Sequence, residues 1–447
     1  MRLLPKKSLS LEVWMLAGPV VVGMISQTLM SVVDTAMVGR LGAEALAAAG
    51  LGGVLSWMIL GSLGALYIGS QAVAARRHGE GDFAQAGKVL DNALLLSVVL
   101  GFVIVFVLAP GMRDRFFLFS NDPIVVSEGR GYIYNRLLGG LPFMVIMAHR
   151  GFFNGVGETK LHMQVAILIN SLNVVLNYFL IFGHGGFPRL ETAGAGLASA
   201  LGTTVGAGYF LLLGLNRKRR ARYTYYRLAN LDRVVTWRIA RLALPSAAHS
   251  FMVMLGFSVF SALVARLGTV EMAATNVCIN VASLSFLPGA GIGIAAATLI
   301  GRSLGEKKPD KAEEYGWEAL RIGVLFMGLL GLVFIAMPEV ILRLFTPDQA
   351  VIQAGVLPLR VVGLFQAFDA SGMVLSMALE GAGMNRWTMM AEISVNWGLF
   401  LPLTYLFAFV FGWGLTGAWT AMAIYMFVFG VVVALKFAGG SWKTVEV

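Results

Sequence analysis

Two carboxylates lie inside stretches that are otherwise apolar: Asp34 in Gln27-Thr-Leu-Met-Ser-Val-Val-Asp34, and Asp369 in Phe365-Gln-Ala-Phe-Asp369. At the centre of a bilayer a carboxylate costs about 2.5–3.5 kcal/mol on insertion scales, so it is seldom kept without a use such as binding a cation. Gln27 and Asp34 are two helical turns apart and share a face. Further along, Asn173 and Asn177 stand one turn apart, and Ser199 follows in the next apolar stretch. These groups either surround Asp34 with donors and acceptors or simply hold neighbouring helices together by hydrogen bonds. The chemistry open to such a set is reversible uptake of H+ or Na+, with no bond made or broken. Phe143, Phe365 and Phe368, with Met24 and Met144, offer apolar and cation–π contact to a flat organic cation, or are plain core. Glu392, near the start of its stretch, reads as an ordinary interfacial acid. The five histidines, His249 among them, show no metal-ligand spacing.

The elements that must position these residues are membrane-spanning helices. Hydrophobic residues make up 57% of the chain and charged residues 13%, with a mean hydropathy of +0.77, values that a water-facing globular surface does not carry. A span needs about 20 mostly apolar residues, and roughly twelve such stretches are present. Six fall near 11–38, 47–74, 89–108, 132–152, 163–182 and 194–215; six more fall near 239–265, 273–300, 320–337, 357–379, 388–411 and 417–437. The expected fold is an all-α integral membrane protein of about twelve transmembrane helices in two pseudo-symmetric six-helix lobes.

The pseudo-symmetry is written in the residues. Pro19 and Arg40-Leu41-Gly42 recur 226 positions later as Pro245 and Arg266-Leu267-Gly268; Arg76 and Gly79-Glu80 recur as Arg302 and Gly305-Glu306; Gly155-Val-Gly157 recurs as Gly381-Ala-Gly383. Such duplication is the mark of a secondary transporter whose halves rock about a site between them. The expected organisation is an amino-terminal lobe 1–215, a basic cytoplasmic linker 216–237 and a carboxy-terminal lobe 238–447. The acids break the repeat: Asp34 corresponds to Phe260, and Asp369 to Phe143. Asn173 pairs with Asn396 in the second copy and Asn177 with Phe400.

The net charge of +10 does not point to nucleic acid, because the basic residues are sorted by loop. Arg2, Lys6, Arg76, Arg77, Lys160, Arg302 and the run Arg217-Lys-Arg-Arg220 fall on one side when the amino terminus is cytoplasmic, the positive-inside pattern. Both termini are then cytoplasmic. The linker, with Tyr223, Tyr225 and Tyr226, is expected to lie on the anionic inner leaflet or to be solvated. Cys278 is alone, and no phosphate-binding glycine loop is present, so thiolate metal chemistry and ATP hydrolysis have no support in the chain. No extramembrane loop gathers histidines and acids, which disfavours a polytopic membrane transferase. A flippase of lipid-linked precursors, the other rival, would be expected to have further helices and buried arginines in its first spans.

The run Gln27-Thr-Leu-Met-Ser-Val-Val-Asp34-Thr-Ala-Met-Val-Gly39-Arg-Leu-Gly resembles the first helix of multidrug and toxic compound extrusion (MATE) transporters. Asn154-Gly-Val-Gly157 with Lys160, Asn173-Val-Val-Leu-Asn177 and Glu380-Gly-Ala-Gly-Met-Asn-Arg386 are similar to that family's helix ends and fifth helix. The resemblance spans essentially the whole chain. It implies a bacterial multi-pass inner-membrane protein, monomeric and not an enzyme, that exports organic compounds by antiport against H+ or Na+ through alternating access. Its partners would be small-molecule substrates, the coupling cation and membrane lipids; no other cofactor is implied. Asp34 would be the coupling acid of the amino-terminal lobe, with Asn173, Asn177, Ser199 and Gln27 lining its pocket, and Asp369 matches the acid of the NorM-type branch. A Na+ ion at Asp34 or Asp369 is the metal such a site would hold. The NorM branch also carries a glutamate in its seventh helix, where this chain has Val253. That departure tilts the expectation toward protons.

Overall fold

The computed structural model describes residues 7–446; Arg2 and Lys6, two of the charges used above to orient the chain, lie outside them. Where no water is available, each backbone N–H and C=O must be satisfied within its own segment, and the described residues contain helices and no strand. In chain order the long helices are α1 (Lys7–Gly39), α2 (Ala43–Gly79), α3 (Phe83–Leu118), α4 in two segments (Pro123–Leu138 and Gly140–Gly155), α5 (Thr159–Phe182), α6 (Glu191–Gly214), α7 (Arg233–Ala265), α8 (Thr269–Gly305), α9 (Pro309–Ala336), α10 (Gln349–Gly381), α11 (Asn385–Val410) and α12 (Gly414–Ala438).

Eleven of these are long and apolar enough to cross a membrane, α2 among them with a one-residue interruption at Ala65. The twelfth, α4, is interrupted at Gly139. A side chain at Gly139 would run into Ala200 of α6, and one at Gly140 into Ile104 of α3, so the glycine pair admits two neighbours at once and the helix bends there. In α10 the residues 226 positions on are Phe365 and Gln366, and that helix runs unbroken.

The helices form two compact units, one of residues Val22–Ala247 and one of residues up to Val21 together with those from Ala248 onward. We call them the amino-terminal and carboxy-terminal units. The divisions fall inside α1 and α7, and they too are 226 residues apart, since 247 − 21 = 226. Each unit thus takes its opening half-helix from the other copy's sequence, an exchange that the plain halves 1–215 and 238–447 do not contain.

Inside the units the repeat is a repeat of contacts. A Cβ added at Gly155 would strike the Gln71 carbonyl, and one at Gly381 would strike that of Ala297, the same helix pair 226 residues on. Two residues later Gly157 and Gly383 hold φ of +87° and +96°, a region that side chains disfavour. The turn then closes in the same way in both copies: Glu158 N donates to Phe153 O at 2.7 Å, and Met384 N to Leu379 O at 2.9 Å. This six-residue closure ends a helix by satisfying its last carbonyls. The Gly-x-Gly motif is therefore one glycine for close packing and one for the turn.

The segment 216–237 alternates exposed residues with residues packed into the amino-terminal unit. Tyr223 and Tyr225 are buried in the amino-terminal unit, and the basic side chains of Arg217, Lys218, Arg220 and Arg222 point outward. The anchor is Asp91-Asn92 on α3. Asp91 accepts from Tyr226 N at 2.7 Å, Arg227 N at 3.3 Å and Asn230 Nδ2 at 2.7 Å. Asn92 Oδ1 accepts from Asp232 N at 2.9 Å and the Thr236 hydroxyl at 2.7 Å, while its amide donates to Asn230 O at 3.0 Å. His149 Nδ1 donates to Val145 O at 2.7 Å, which leaves Nε2 to accept from the Tyr226 hydroxyl at 2.8 Å. Burial pushes the Tyr226 phenol above its ordinary range, so this donor keeps its proton at any working pH.

Asp91→Ala strands two backbone N–H groups and an amide at once, a loss of about 2–4 kcal/mol. The melting temperature of the purified protein should fall by roughly 2–4 °C. Glu158→Gln removes only the half-exposed ion pair with Arg219 (2.6 Å) and should cost less than about 1 kcal/mol. Thermal unfolding of both variants in detergent checks the contrast.

Candidate functional site

In the amino-terminal unit the structure assembles the set built around Asp34. Asn170, Asn173 and Asn177 recur at helical spacing, so α5 presents a buried stripe of amides. Asn177 Nδ2 donates to Asp34 Oδ1 and, at 3.1 Å, to Asn173 Oδ1. Asn173 Nδ2 in turn donates to Ser199 Oγ of α6 at 3.0 Å, and Asn170 Nδ2 to Ser26 Oγ of α1 at 3.0 Å. Three helices are thereby joined by one string of neutral groups ending on one carboxylate. Asn177 Oδ1 is buried and has no hydrogen-bond partner among the described residues.

Asp34, Asn173, Asn177 and Ser199 stand together, whereas Gln27 is exposed on α1 and outside this string. Phe143 lies in the same unit, with its ring over Gly64 of α2. A residue that the sequence did not bring forward is Arg136 on α4, whose charge acts on Asp34 and on the buried phenol of Tyr132. Its signal was faint: one of two arginines in a stretch that also holds Tyr132 and Tyr134.

In the carboxy-terminal unit the counterpart of this contact is apolar. Phe260, at the position of Asp34, packs its ring on Phe400, the residue paired with Asn177, at 5.1 Å between centroids. That unit's polar cluster lies elsewhere. Glu392 of α11, which reads in sequence as an ordinary acid, is 13% exposed and held by partners: its Oε2 meets His249 Nε2 at 2.5 Å and its Oε1 accepts from the Tyr425 hydroxyl at 2.9 Å. Glu380 Oε1 stands 3.8 Å from His249 Nδ1 and accepts from the Thr388 hydroxyl at 3.4 Å. The histidine that looked scattered in sequence is thus held between two glutamates.

Asp369 belongs to the same neighbourhood, since the charge of Glu392 acts on it, and its Oδ2 is buried with no partner among the described residues. Phe365 and Phe368 beside it form a ring pair 6.1 Å apart, and Phe368 also meets Phe427 at 4.8 Å. Phe368 stays 36% exposed. The only signal that could have found the His249 cluster was the count of ionisable residues within apolar stretches, because its members lie on four helices.

Asp34, Asn177, His249 and Glu392 stand where the other copy is apolar or small, whereas Asn173 pairs with Asn396, Ser199 with Tyr425 and Asn154 with Glu380. His249 and Glu392 correspond, 226 residues back, to Gly23 and Ala166, and a Cβ at Gly23 would meet that of Ala166 in ordinary contact at 3.5 Å. The packing of the helices is shared by the copies, and the chemistry is not.

Comparison with known proteins matches this duplication. The model of the MatE family fits the chain twice, over residues 19–179 and 245–406. Among relatives, the probable multidrug resistance protein NorM of Thermotoga maritima is 28% identical over 437 residues, covering 97% of this chain and 93% of that protein. The multidrug resistance protein NorM of Burkholderia vietnamiensis is 31% identical, over 94% of this chain and 92% of that protein. A solved structure described as the outward-facing conformation of a multidrug resistance MATE family transporter of the MOP superfamily superposes with a TM-score of 0.89 at 23% identity, covering 97% of both chains. With two family matches at the repeat offset and a relative above 30% identity over nearly its full length, this chain belongs to the MatE family and is a NorM-like MATE transporter, not an enzyme.

Proposed function

We propose that this transporter exports organic cations from a bacterial cell across its inner membrane in exchange for protons, with Asp34 as the coupling group. Family membership and the multidrug resistance names of its relatives support the efflux reading. The orientation that supports export has both termini in the cytoplasm, where the Arg217–Arg222 cluster lies on the basic side. The protein acts as a monomer, each unit carrying its own polar cluster.

The observation that carries the proton reading is the unused acceptor beside Asp34. The carboxylate accepts from the Asn177 amide, and the same amide's oxygen is buried without a donor. A protonated Asp34 has an O–H to give, and rotation of the amide by half a turn presents Oδ1 to receive it. Both protonation states of the acid are then satisfied by one residue, at the cost of the rotation and of the Asn177 bond to Asn173 Oδ1. Proton uptake drives transport to the extent that it changes the relative stability of two conformations, and one charge moving through 100 mV supplies about 2.3 kcal/mol. Cargo is a flat aromatic or lipophilic cation, for which Phe143 in one unit and Phe365 and Phe368 with Asp369 in the other supply apolar faces and a counter-charge.

Reconstituted in liposomes, the protein should move a cationic dye under a proton gradient, and a sodium gradient of equal size should drive it far less. Asp34→Asn keeps shape and hydrogen bonding yet cannot titrate, and it should reduce gradient-driven export by at least about tenfold. Normal export by folded Asp34→Asn protein would rule out Asp34 as the coupling group. Asp369→Asn should raise the KM for cationic dyes more than for a neutral substrate, because it removes a counter-charge and not the coupling step. An equal change for both classes would remove Asp369 from the cargo site.

A further inference from the structure

The cluster in the carboxy-terminal unit has a charge count that it cannot sustain alone. Asp369 and Glu380 come from α10, Glu392 from α11, Tyr425 from α12 and His249 from α7. Among the described residues no lysine or arginine forms an ion pair with any of these three carboxylates. With the acids ionised and the imidazole protonated, the sum is −3 + 1 = −2. Two uncompensated charges inside a membrane protein are costly, so further positive charge binds there. The connections for a mobile proton are in place: His249 Nε2 touches Glu392 Oε2 at 2.5 Å, and Glu380 waits 3.8 Å from Nδ1. Asp369 Oδ2, buried and unpartnered, is the remaining open acceptor.

We propose that His249, clamped between Glu392 and Glu380, is a second proton-binding site of this transporter, loaded and unloaded independently of Asp34. The proton sits on the imidazole, shared with Glu392, and leaves by way of either glutamate. A cationic cargo that reaches Asp369 supplies the positive charge that the cluster lacks and thereby makes the proton easier to release. The two ligands compete through charge without sharing atoms. The equivalent places in the amino-terminal unit hold Gly23, Phe143, Asn154, Ala166 and Ser199, none of which titrates.

This inference rests on the reading that organic cations are exchanged for protons, and the test separates the two. Binding of tetraphenylphosphonium to the purified full-length protein is measured between pH 6 and pH 8. Each proton that competes adds up to a tenfold gain in affinity per pH unit where it titrates. Asp34→Asn and His249→Gln should each lose one proton's share of the wild-type slope, and the double variant should lose both shares. A role of His249 in packing alone would shift affinity equally at all pH values and leave the slope unchanged. If Asp34→Asn retains the full slope while His249→Gln loses part of it, the Asp34 reading fails and the His249 site stands. An unaltered slope in His249→Gln overturns the proposal. Should that variant fail to fold, Glu392→Gln takes its place with the same expectation. Histidine-labelled wild-type protein must also show one imidazole whose nitrogen signals respond to added tetraphenylphosphonium, and the absence of any response is equally fatal.

Discussion

A charge carried on a helix through hydrocarbon must find its partners inside the protein, and most of the structure follows from that. Asp34 finds them in the amides of α5 and Glu392 in an imidazole and a phenol, each on a different helix. An unpaired polar group in such surroundings costs several kcal/mol, so the helices that supply the partners cannot drift apart without penalty. On the proposed function the acids do two things at once: they bind cations, and they fix which faces of neighbouring helices meet. Neutral amides and hydroxyls suit this double role, because they satisfy a carboxylate without extinguishing its affinity for a proton.

Duplication supplies the scaffold and divergence supplies the function. Gly155 on Gln71 and Gly381 on Ala297 are one contact made twice, and the turn closed by Gly157 is closed again by Gly383. These positions are shared because close approach and a positive φ leave little choice of residue. At the polar sites the backbone imposes no such limit. Asp34 on Asn177 is answered by Phe260 on Phe400, and Gly23 by Ala166 is answered by His249 on Glu392. A pair of small residues in one copy leaves room that, in the other, is filled by a histidine and a glutamate.

The connecting segment obeys the same accounting at the edge of the apolar region. Between its short helices the backbone has N–H groups left over, so Asp91 and Asn92 take up those of Tyr226, Arg227 and Asp232, and Gly87 leaves room for the Tyr223 carbonyl. Its arginines keep their heads in water while the tyrosines fill the interior, the division expected when one face of a chain is covered and the other is not.

The sequence alone determined the class, the number of helices and the duplication, because hydropathy and glycine spacing are local properties that do not depend on which helices touch. It also determined the Asp34 set, since Asn173 and Asn177 fall on one face by helical period and the acid stands out in an apolar run. It did not distinguish Glu392 from an interfacial acid, and it left His249 among scattered histidines, because burial there depends on α7, α10, α11 and α12 converging. Nor could it foresee the break of α4 at Gly139, which depends on Ala200 and Ile104 pressing from two sides. The division of α1 and α7 between the two units was likewise decided by tertiary packing. A helix of 33 residues reads as one element in sequence, but each half belongs to whichever neighbours bury it.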